Sequence, residues 1–151
     1  MKLMKLMKLM KLMKLLDLTY NQNINLQYSN KKDCIFMLAL NENLQNHVHS
    51  FHAGAIFSLA EATSAQLLIN TFKVFENNAI PLLRATNTKY RKLGLTNIYA
   101  KGIIINETKE DLISKLNEKK RVLVEIKVDV IDDADCIVFT GIFEWFLSII
   151  K

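Results

Sequence analysis

The feature of this sequence that most constrains its fold is a stretch of twenty residues that carries one charge. Residues 53–72 are small, apolar or uncharged-polar, with the exception of Glu61. Apolar side chains fall nearly all round a helical axis, which predicts one long helix over residues 53–75 that is buried on all sides. Such a helix needs other elements to cover it, so the rest of the chain must wrap it.

Glu61 is the exception in this helix and the first candidate for a functional residue. Burying an ionised carboxylate is costly unless it is paired or neutralised. Gly54, Ser58 and Glu61 are spaced at i, i+4 and i+7, so one helical face carries all three. Gly54 lies near the predicted N-terminus, where free amides and the helix dipole favour a developing negative charge. Two interpretations stay open: a catalytic strip, or a carboxylate that reaches water or a basic neighbour.

The remaining segments predict a sheet around this helix. Strands are predicted over residues 24–29, 34–40, 82–92, 96–105, 122–130 and 136–147. Residues 108–120 predict a surface helix that Thr108 caps. One long helix with five or six antiparallel strands gives an α+β fold.

The positive charge of the chain is concentrated in a repeat at its start. Met-Lys-Leu occurs five times in residues 1–15, and without those lysines fifteen basic residues face fifteen acidic ones. The net charge of +5 therefore gives no reason to expect nucleic-acid binding. We predict a low-complexity tail over residues 1–15 and a single domain over residues 16–151. We expect no signal peptide or transmembrane segment, because charged residues interrupt every sufficiently long apolar run.

The cysteines and histidines show no pattern of a disulfide framework or a metal site. Cys34 and Cys136 stand alone, and His47, His49 and His52 share one loop without a standard ligand spacing. We therefore expect no metal, reduced thiols and a cytoplasmic protein. Cys136 is interpreted as a small core residue of an apolar strand.

The loop before the helix and the helix itself share a motif with fixed intervals. Asn46 is followed after six residues by His52-Ala53-Gly54, and Glu61 comes nine residues after His52. This motif resembles that of the hotdog-fold acyl-CoA thioesterases of the phenylacetyl-CoA type, which have an Asn, a His-Gly-Gly and an Asp or Glu at these intervals. The resemblance covers about residues 24–148 and is nearest to a branch described as a domain of unknown function. It implies a sheet wrapped round one central helix, and a homodimer or a dimer of dimers.

The resemblance also implies a chemistry for the motif. A thioester carbonyl would lie over the helix N-terminus, polarised by the amide of Gly54. Glu61 would activate a water molecule or attack the carbonyl itself. Asn46 would hold the water or the carbonyl, and His52 would position the loop or donate a hydrogen bond. Ser58 is the weakest member, because a helical serine often bonds back to its own backbone.

A basic group follows the helix in the sequence. Lys89, Arg91 and Lys92 lie on a predicted strand and are candidates to bind the phosphates of coenzyme A. Coenzyme A would enter as part of the substrate, so no cofactor is expected. The alternative is a solvated, basic end of a strand.

Two departures from the family pattern leave other functions open. Ala53 replaces a glycine, so its Cβ could crowd a thioester, and residues 83–84 offer no hydroxyl where some relatives place one. We predict an acyl-CoA thioesterase, and these departures motivate the alternative of a non-catalytic module that binds acyl thioesters or lipids. A hotdog dehydratase that pairs His49 or His52 with Glu61 is a further alternative, although the intervals fit the thioesterase pattern better.

Overall fold

The computed structural model describes residues 15–72 and 78–150, which contain three α-helices and six strands. The helices are α1 (Thr19–Asn23), α2 (Ala53–Phe72) and α3 (Lys109–Lys119). The strands are β1 (Gln27–Tyr28), β2 (Phe36–Leu38), β3 (Ala79–Tyr90), β4 (Ile98–Ile105), β5 (Arg121–Ile131) and β6 (Ile137–Ile149). Two short 3-10 helices, Leu15–Asp17 and Glu42–Leu44, precede α1 and α2 respectively.

The strands form one antiparallel sheet that packs against α2. Their order is β1-β2-β4-β5-β6-β3, so the long strand β3 lies at one edge. Helix α2 contacts β2, β4, β5 and β6 on one face of the sheet. The predicted α+β class, with an antiparallel sheet wrapped on one long helix, is confirmed.

Side-chain size and alternation explain why the helix and the sheet fit together. Alternate residues of β5 from Val122 to Val130 are buried, while the residues between them are exposed or half-buried. Twelve of the twenty residues of α2 are buried, and many are Ala, Ser or Thr, which let the helix approach the sheet closely. The apolar side chains that surround α2 are therefore covered on more than one side of the helix.

The structure differs from the sequence predictions mainly before residue 30. Helix α1 was not predicted, and the strand predicted over residues 24–29 is confined to Gln27–Tyr28. Helix α1 is polar and lacks an apolar period, so it depends on tertiary contacts. The Tyr20 hydroxyl bonds to Ser58 on α2, and the buried Asn21 side chain adds a local bond to the carbonyl of Leu15 at 2.6 Å. The Met-Lys-Leu repeat up to residue 14 and the predicted helix end at residue 75 lie outside the described residues.

The two cysteines occupy opposite environments. Cys34 is buried, whereas Cys136 is exposed in the turn before β6. The prediction that Cys136 belongs to the core was wrong, because β6 begins one residue later and Asp132 holds this turn at the surface. The Asp132 carboxylate accepts hydrogen bonds from the amides of Ala134 and Cys136 at 3.0 and 2.9 Å.

Gly141 allows two phenylalanines to pack over β6. A Cβ at this position would lie 2.7 Å from Phe143 and 3.0 Å from Phe139, both of which are fully buried. We expect Gly141→Ala to lower the free energy of unfolding by about 1–3 kcal/mol, as overpacking does in other cores. Urea unfolding measures this loss. The matched control is Gly102→Ala, in which the added Cβ meets the flexible side chain of Leu67 at 3.3 Å, so we expect a smaller loss. An equal loss in both variants would contradict the packing argument.

Candidate active site

Asn46 closes the loop that leads into α2. Its side-chain oxygen accepts from the amides of Val48 and Ser50, both at 3.1 Å, and its amide nitrogen donates to the hydroxyl of Ser50 at 2.9 Å. The backbone amide of Asn46 also donates to the carbonyl of Ser50 at 2.8 Å. Because both ends of the carboxamide are engaged, Asn46 shapes this loop and does not extend freely from it.

The loop is fixed to the rest of the protein directly before the helix begins. Phe51 is buried, and its amide donates to the carbonyl of Gly94 at 2.9 Å. The next amide, that of His52, donates to the carbonyl of Leu44 at 2.8 Å. These contacts set the position of the first turn of α2.

His52 caps the N-terminus of α2 with its side chain. Its Nδ1 atom accepts from the amide of Gly54 at 3.0 Å, and its carbonyl accepts from the amides of Ala55 and Ile56. A Cβ on Gly54 would lie 3.2 Å from that Nδ1 atom, so glycine leaves room for the imidazole. The Gly54 amide, expected to polarise a thioester, is thus occupied in this structure. Within the described part of the chain, the exposed Ala53 amide makes no hydrogen bond.

Ser58 is held from two sides. Its hydroxyl donates to the carbonyl of Gly54 at 2.7 Å, as a helical serine commonly does. The hydroxyl of Tyr20, on α1, forms a hydrogen bond with the same oxygen. Since the Ser58 proton is directed to Gly54, Tyr20 is the donor in this second bond. Ser58 therefore ties α1 to α2 and has no proton left for a ligand.

Glu61 lies half-buried one turn further along the helix. It lines a cavity of about 130 Å³ together with Tyr20 and Ser58. Apolar side chains, among them Leu15, Leu18 and Trp145, form much of the remaining wall. Burial raises the pKa of the Glu61 carboxyl above its ordinary value, because the ionised form loses hydration there.

No charge in the described part of the chain offsets the cost of burying Glu61. Among residues 15–72 and 78–150, its carboxylate forms no hydrogen bond or ion pair. The helix around it is nevertheless well supported: the Ser64 hydroxyl donates to the Glu61 carbonyl at 2.7 Å, and the Trp145 indole nitrogen donates to that hydroxyl at 3.0 Å. A hydrogen-bonded backbone therefore presents to a mostly apolar cavity a carboxylate that has no partner among these residues.

A second cavity, of about 380 Å³, opens at the start of α2. Asn46, Ala53, Tyr90, Arg91 and Lys92 are among the residues that line it. The hydroxyl of Tyr90 donates to the Ala53 carbonyl at 3.0 Å, which ties the end of β3 to the helix. This cavity joins the predicted loop to part of the predicted basic group.

The three basic candidates differ in their surroundings. Lys92 forms an ion pair of 2.8 Å with the buried carboxylate of Asp132, which raises the pKa of the lysine and lowers that of the aspartate. Arg91 donates through Nε to the hydroxyl of Thr140 at 3.2 Å. Lys89 is exposed on the edge strand and is not among the residues that line the second cavity. Arg91 and Lys92 are thus better placed than Lys89 to meet a ligand in that cavity.

Within one chain, the predicted residues form two separate groups. His52, Gly54 and Ser58 are linked by hydrogen bonds along the first turns of α2, and Ser58 shares its cavity with Glu61. Asn46 lines the other cavity, at the helix N-terminus. Asn46 and Glu61 therefore line two different cavities of the described part of one protomer.

Sequence reasoning missed Tyr20, which lines the Glu61 cavity together with Ser58. Tyr20 precedes Ser58 by 38 positions and lies in a short polar helix, so neither periodicity nor a local motif indicates the contact. The tether from Tyr90 to Ala53 was missed for a similar reason, since it spans 37 positions.

Two general features of the described part of the chain bear on function. None of its helices is both long and apolar enough to cross a membrane. Within the same residues, no group of three or more His, Cys, Asp or Glu side chains is arranged to hold a metal ion.

Comparison with protein families places the chain in one of them. A family model described as a domain of unknown function, DUF4442, matches residues 8–147. The chain belongs to this family. A comparison with curated proteins gave no match. The predicted resemblance to a hotdog branch described as a domain of unknown function is confirmed.

Solved structures share this fold over nearly the whole chain. A Pseudomonas aeruginosa protein of unknown function, named as a probable thioesterase, superposes with a TM-score of 0.77 at 17% identity, covering 93% of this chain and 96% of that one. A Haemophilus influenzae thioesterase gives 0.68 at 12% identity, covering 91% and 88%. A Bacillus halodurans protein solved with CoA gives 0.65 at 17% identity, covering 97% and 87%. At these identities the similarity shows the hotdog fold and not the activity.

The raised pKa of Glu61 predicts how its removal changes stability. The Glu61 carboxyl stays protonated to a higher pH in the folded protein than in the unfolded chain. The free energy of unfolding therefore falls as pH rises from about 4.5 through the folded-state pKa. We expect Glu61→Gln to raise the free energy of unfolding at pH 7, and this gain to vanish below about pH 4.5. Urea unfolding at both pH values measures it. The matched control is Glu118→Gln, an exposed position on α3, and a gain of the same size there would refute the argument.

Proposed function

We propose that this protein is an acyl-CoA thioesterase that uses Glu61 as its catalytic carboxylate. The observation that carries the proposal is the half-buried carboxylate on the central helix, which has no partner among the described residues and faces a cavity lined largely by apolar groups. A carboxylate kept in such a place without a counter-ion destabilises the fold, and a catalytic role accounts for that cost. The hotdog fold and its thioesterase-named neighbours support the same assignment.

The raised pKa suits Glu61 to general-base catalysis. A water oxygen attacks the thioester carbonyl carbon while Glu61 accepts the water proton. The tetrahedral intermediate then collapses, the carbon–sulfur bond breaks, and the leaving thiolate takes up a proton. Direct attack by the Glu61 carboxylate is the alternative route, through an anhydride that water hydrolyses. In both routes the carboxyl must be ionised at the start.

The start of α2 supplies the electrophilic part of the proposed site. The Ala53 amide is exposed and lacks a hydrogen bond within the described residues, so it is available to the carbonyl oxygen of a thioester. The Gly54 amide becomes a second donor only if His52 releases it. In this proposal His52 controls the oxyanion contact, and Asn46 holds the loop in place.

We further propose that the active site forms between two subunits. The loop cavity and the Glu61 cavity share no lining residue within the described part of one chain, and a second chain would bring the loop of one subunit to Glu61 of the other. Strand β3 supports a dimer: it has twelve residues, and β6 is its one partner among the described strands. Such an edge is normally covered, and pairing with a second β3 would cover it. A dimer of dimers remains a prediction from the family resemblance.

Coenzyme A would enter at the second cavity. Arg91 and Lys92 line it next to Ala53, which places positive charge close to the proposed oxyanion contact. Phosphate groups would compete with Asp132 for Lys92 and with Thr140 for Arg91. Lys89 is the least favoured of the three basic candidates.

Thiol release from a panel of acyl-CoAs tests the proposed activity. We expect turnover by the native protein and a fall of at least about a hundredfold in kcat for Glu61→Gln, with binding of CoA retained in calorimetry. Blanks without substrate are needed, because the exposed Cys136 can react with the thiol reagent. Equal turnover by both proteins would remove Glu61 from the mechanism.

Mixing two inactive variants tests whether the site is shared. If the loop of one subunit meets Glu61 of the other, a heterodimer of Glu61→Gln with the loop variant Asn46→Ala/His52→Ala has one intact site. Random refolding of an equal mixture should then recover about one quarter of the native activity, since half of the dimers are mixed and each has one good site. Refolding each variant alone is the control. No recovery from a mixture shown to contain heterodimers would place both groups in one chain's site.

The occupied amide of Gly54 favours a second candidate function. Because His52 takes that hydrogen bond and Ala53 carries a Cβ, one part of the expected oxyanion site is closed in this structure. A module that binds acyl thioesters without hydrolysing them fits this observation. It predicts binding of acyl-CoA with no thiol release, and little change in that binding for Glu61→Gln.

A further inference from the structure

We propose that residues 15–23 form the wall of the acyl pocket beside Glu61 and restrict it to short aliphatic acyl groups. This inference rests on the thioesterase function proposed above. Leu15, Leu18, Tyr20 and Asn21 line the Glu61 cavity from one side, and residues of α2 with Trp145 line it from the other. We call residues 15–23 the N-terminal wall.

The N-terminal wall is held together by local bonds and fixed to the domain at two points. Locally, the buried Asn21 side chain donates to the carbonyl of Leu15, and the Asn21 carbonyl accepts from the amide of Leu26 at 3.0 Å. Leu15 packs against the hydrophobic core. The Tyr20 hydroxyl joins the wall to Ser58 on α2. The core contact and the bond to α2 place the wall beside Glu61.

The space that the wall leaves is small. The cavity of about 130 Å³ is slightly smaller than an engineered cavity of about 150 Å³ that binds benzene. An acetyl, propionyl or butyryl group is no larger than benzene, whereas an octanoyl chain or a complete phenylacetyl group is about one and a half times as large. The geometry therefore favours short acyl groups over the phenylacetyl group of the thioesterases whose motif this chain resembles.

Leu18 is the wall residue best suited to a test. It lines the cavity yet is 42% exposed, so shortening it removes part of the wall at little cost to folding. Leu95 is a matched control, because it is also an exposed leucine, at 57%, and does not line this cavity. Thermal unfolding of both variants checks that they remain folded.

The experiment measures kcat/KM for straight-chain acyl-CoAs from acetyl to palmitoyl, and for phenylacetyl-CoA. In the native protein we expect the highest value among the short chains and a value at least about tenfold lower for octanoyl-CoA. Leu18→Ala should raise the ratio of octanoyl to butyryl turnover by about tenfold, and Leu95→Ala should leave it unchanged. Equal or better turnover of long chains by the native protein, or an unchanged ratio in Leu18→Ala, would overturn the inference while leaving the thioesterase in place.

A protein without turnover on any substrate would instead count against the proposed function. Calorimetry then measures the binding affinity of non-hydrolysable acyl-CoA thioethers of the same chain lengths, which tests the wall without turnover. A preference for short chains that Leu18→Ala shifts to longer ones would support the wall in a binding module. Binding without dependence on chain length, or no binding at all, would overturn the inference as well.

Discussion

The structure depends on covering a helix that is apolar on all sides. Helix α2 packs against four strands of the sheet, and the N-terminal wall covers part of what the sheet leaves open. Burial of this apolar surface is the main gain in free energy that such a small domain can obtain. Glu61 interrupts the apolar surface between these two coverings, so the contacts that stabilise the fold also remove water from the carboxylate and raise its pKa.

The sequence carries most of the information about the fold because the decisive patterns are local. The single charge in residues 53–72 and the alternation in residues 122–130 each predict an element that the structure contains. Helix α1 could not be predicted in this way. It is a short polar segment in which Asn21 bonds locally to Leu15 and Tyr20 bonds to the distant Ser58, and no periodic pattern records such contacts.

The residues of the candidate site could be predicted from the sequence better than their arrangement. The intervals between Asn46, His52 and Glu61 mark the loop and the helix, but they do not show which amides remain free. The bond from Gly54 to His52 depends on an imidazole rotamer, and the bond from Tyr20 to Ser58 depends on a residue 38 positions away. Asn46 and Glu61 line different cavities of one chain, a separation that spacing along the sequence cannot reveal and that motivates the proposed dimeric site.

The central claim is that the ionisation of Glu61 controls the proposed chemistry. The most direct measurement follows the carboxyl carbon of Glu61 by NMR across pH, beside the pH dependence of kcat/KM for a short acyl-CoA. The account predicts a carboxyl titration with its midpoint above 4.5, and a rate that rises with pH at the same midpoint. A titration at or below 4.5, or a rate that does not follow the titration of Glu61, would contradict it.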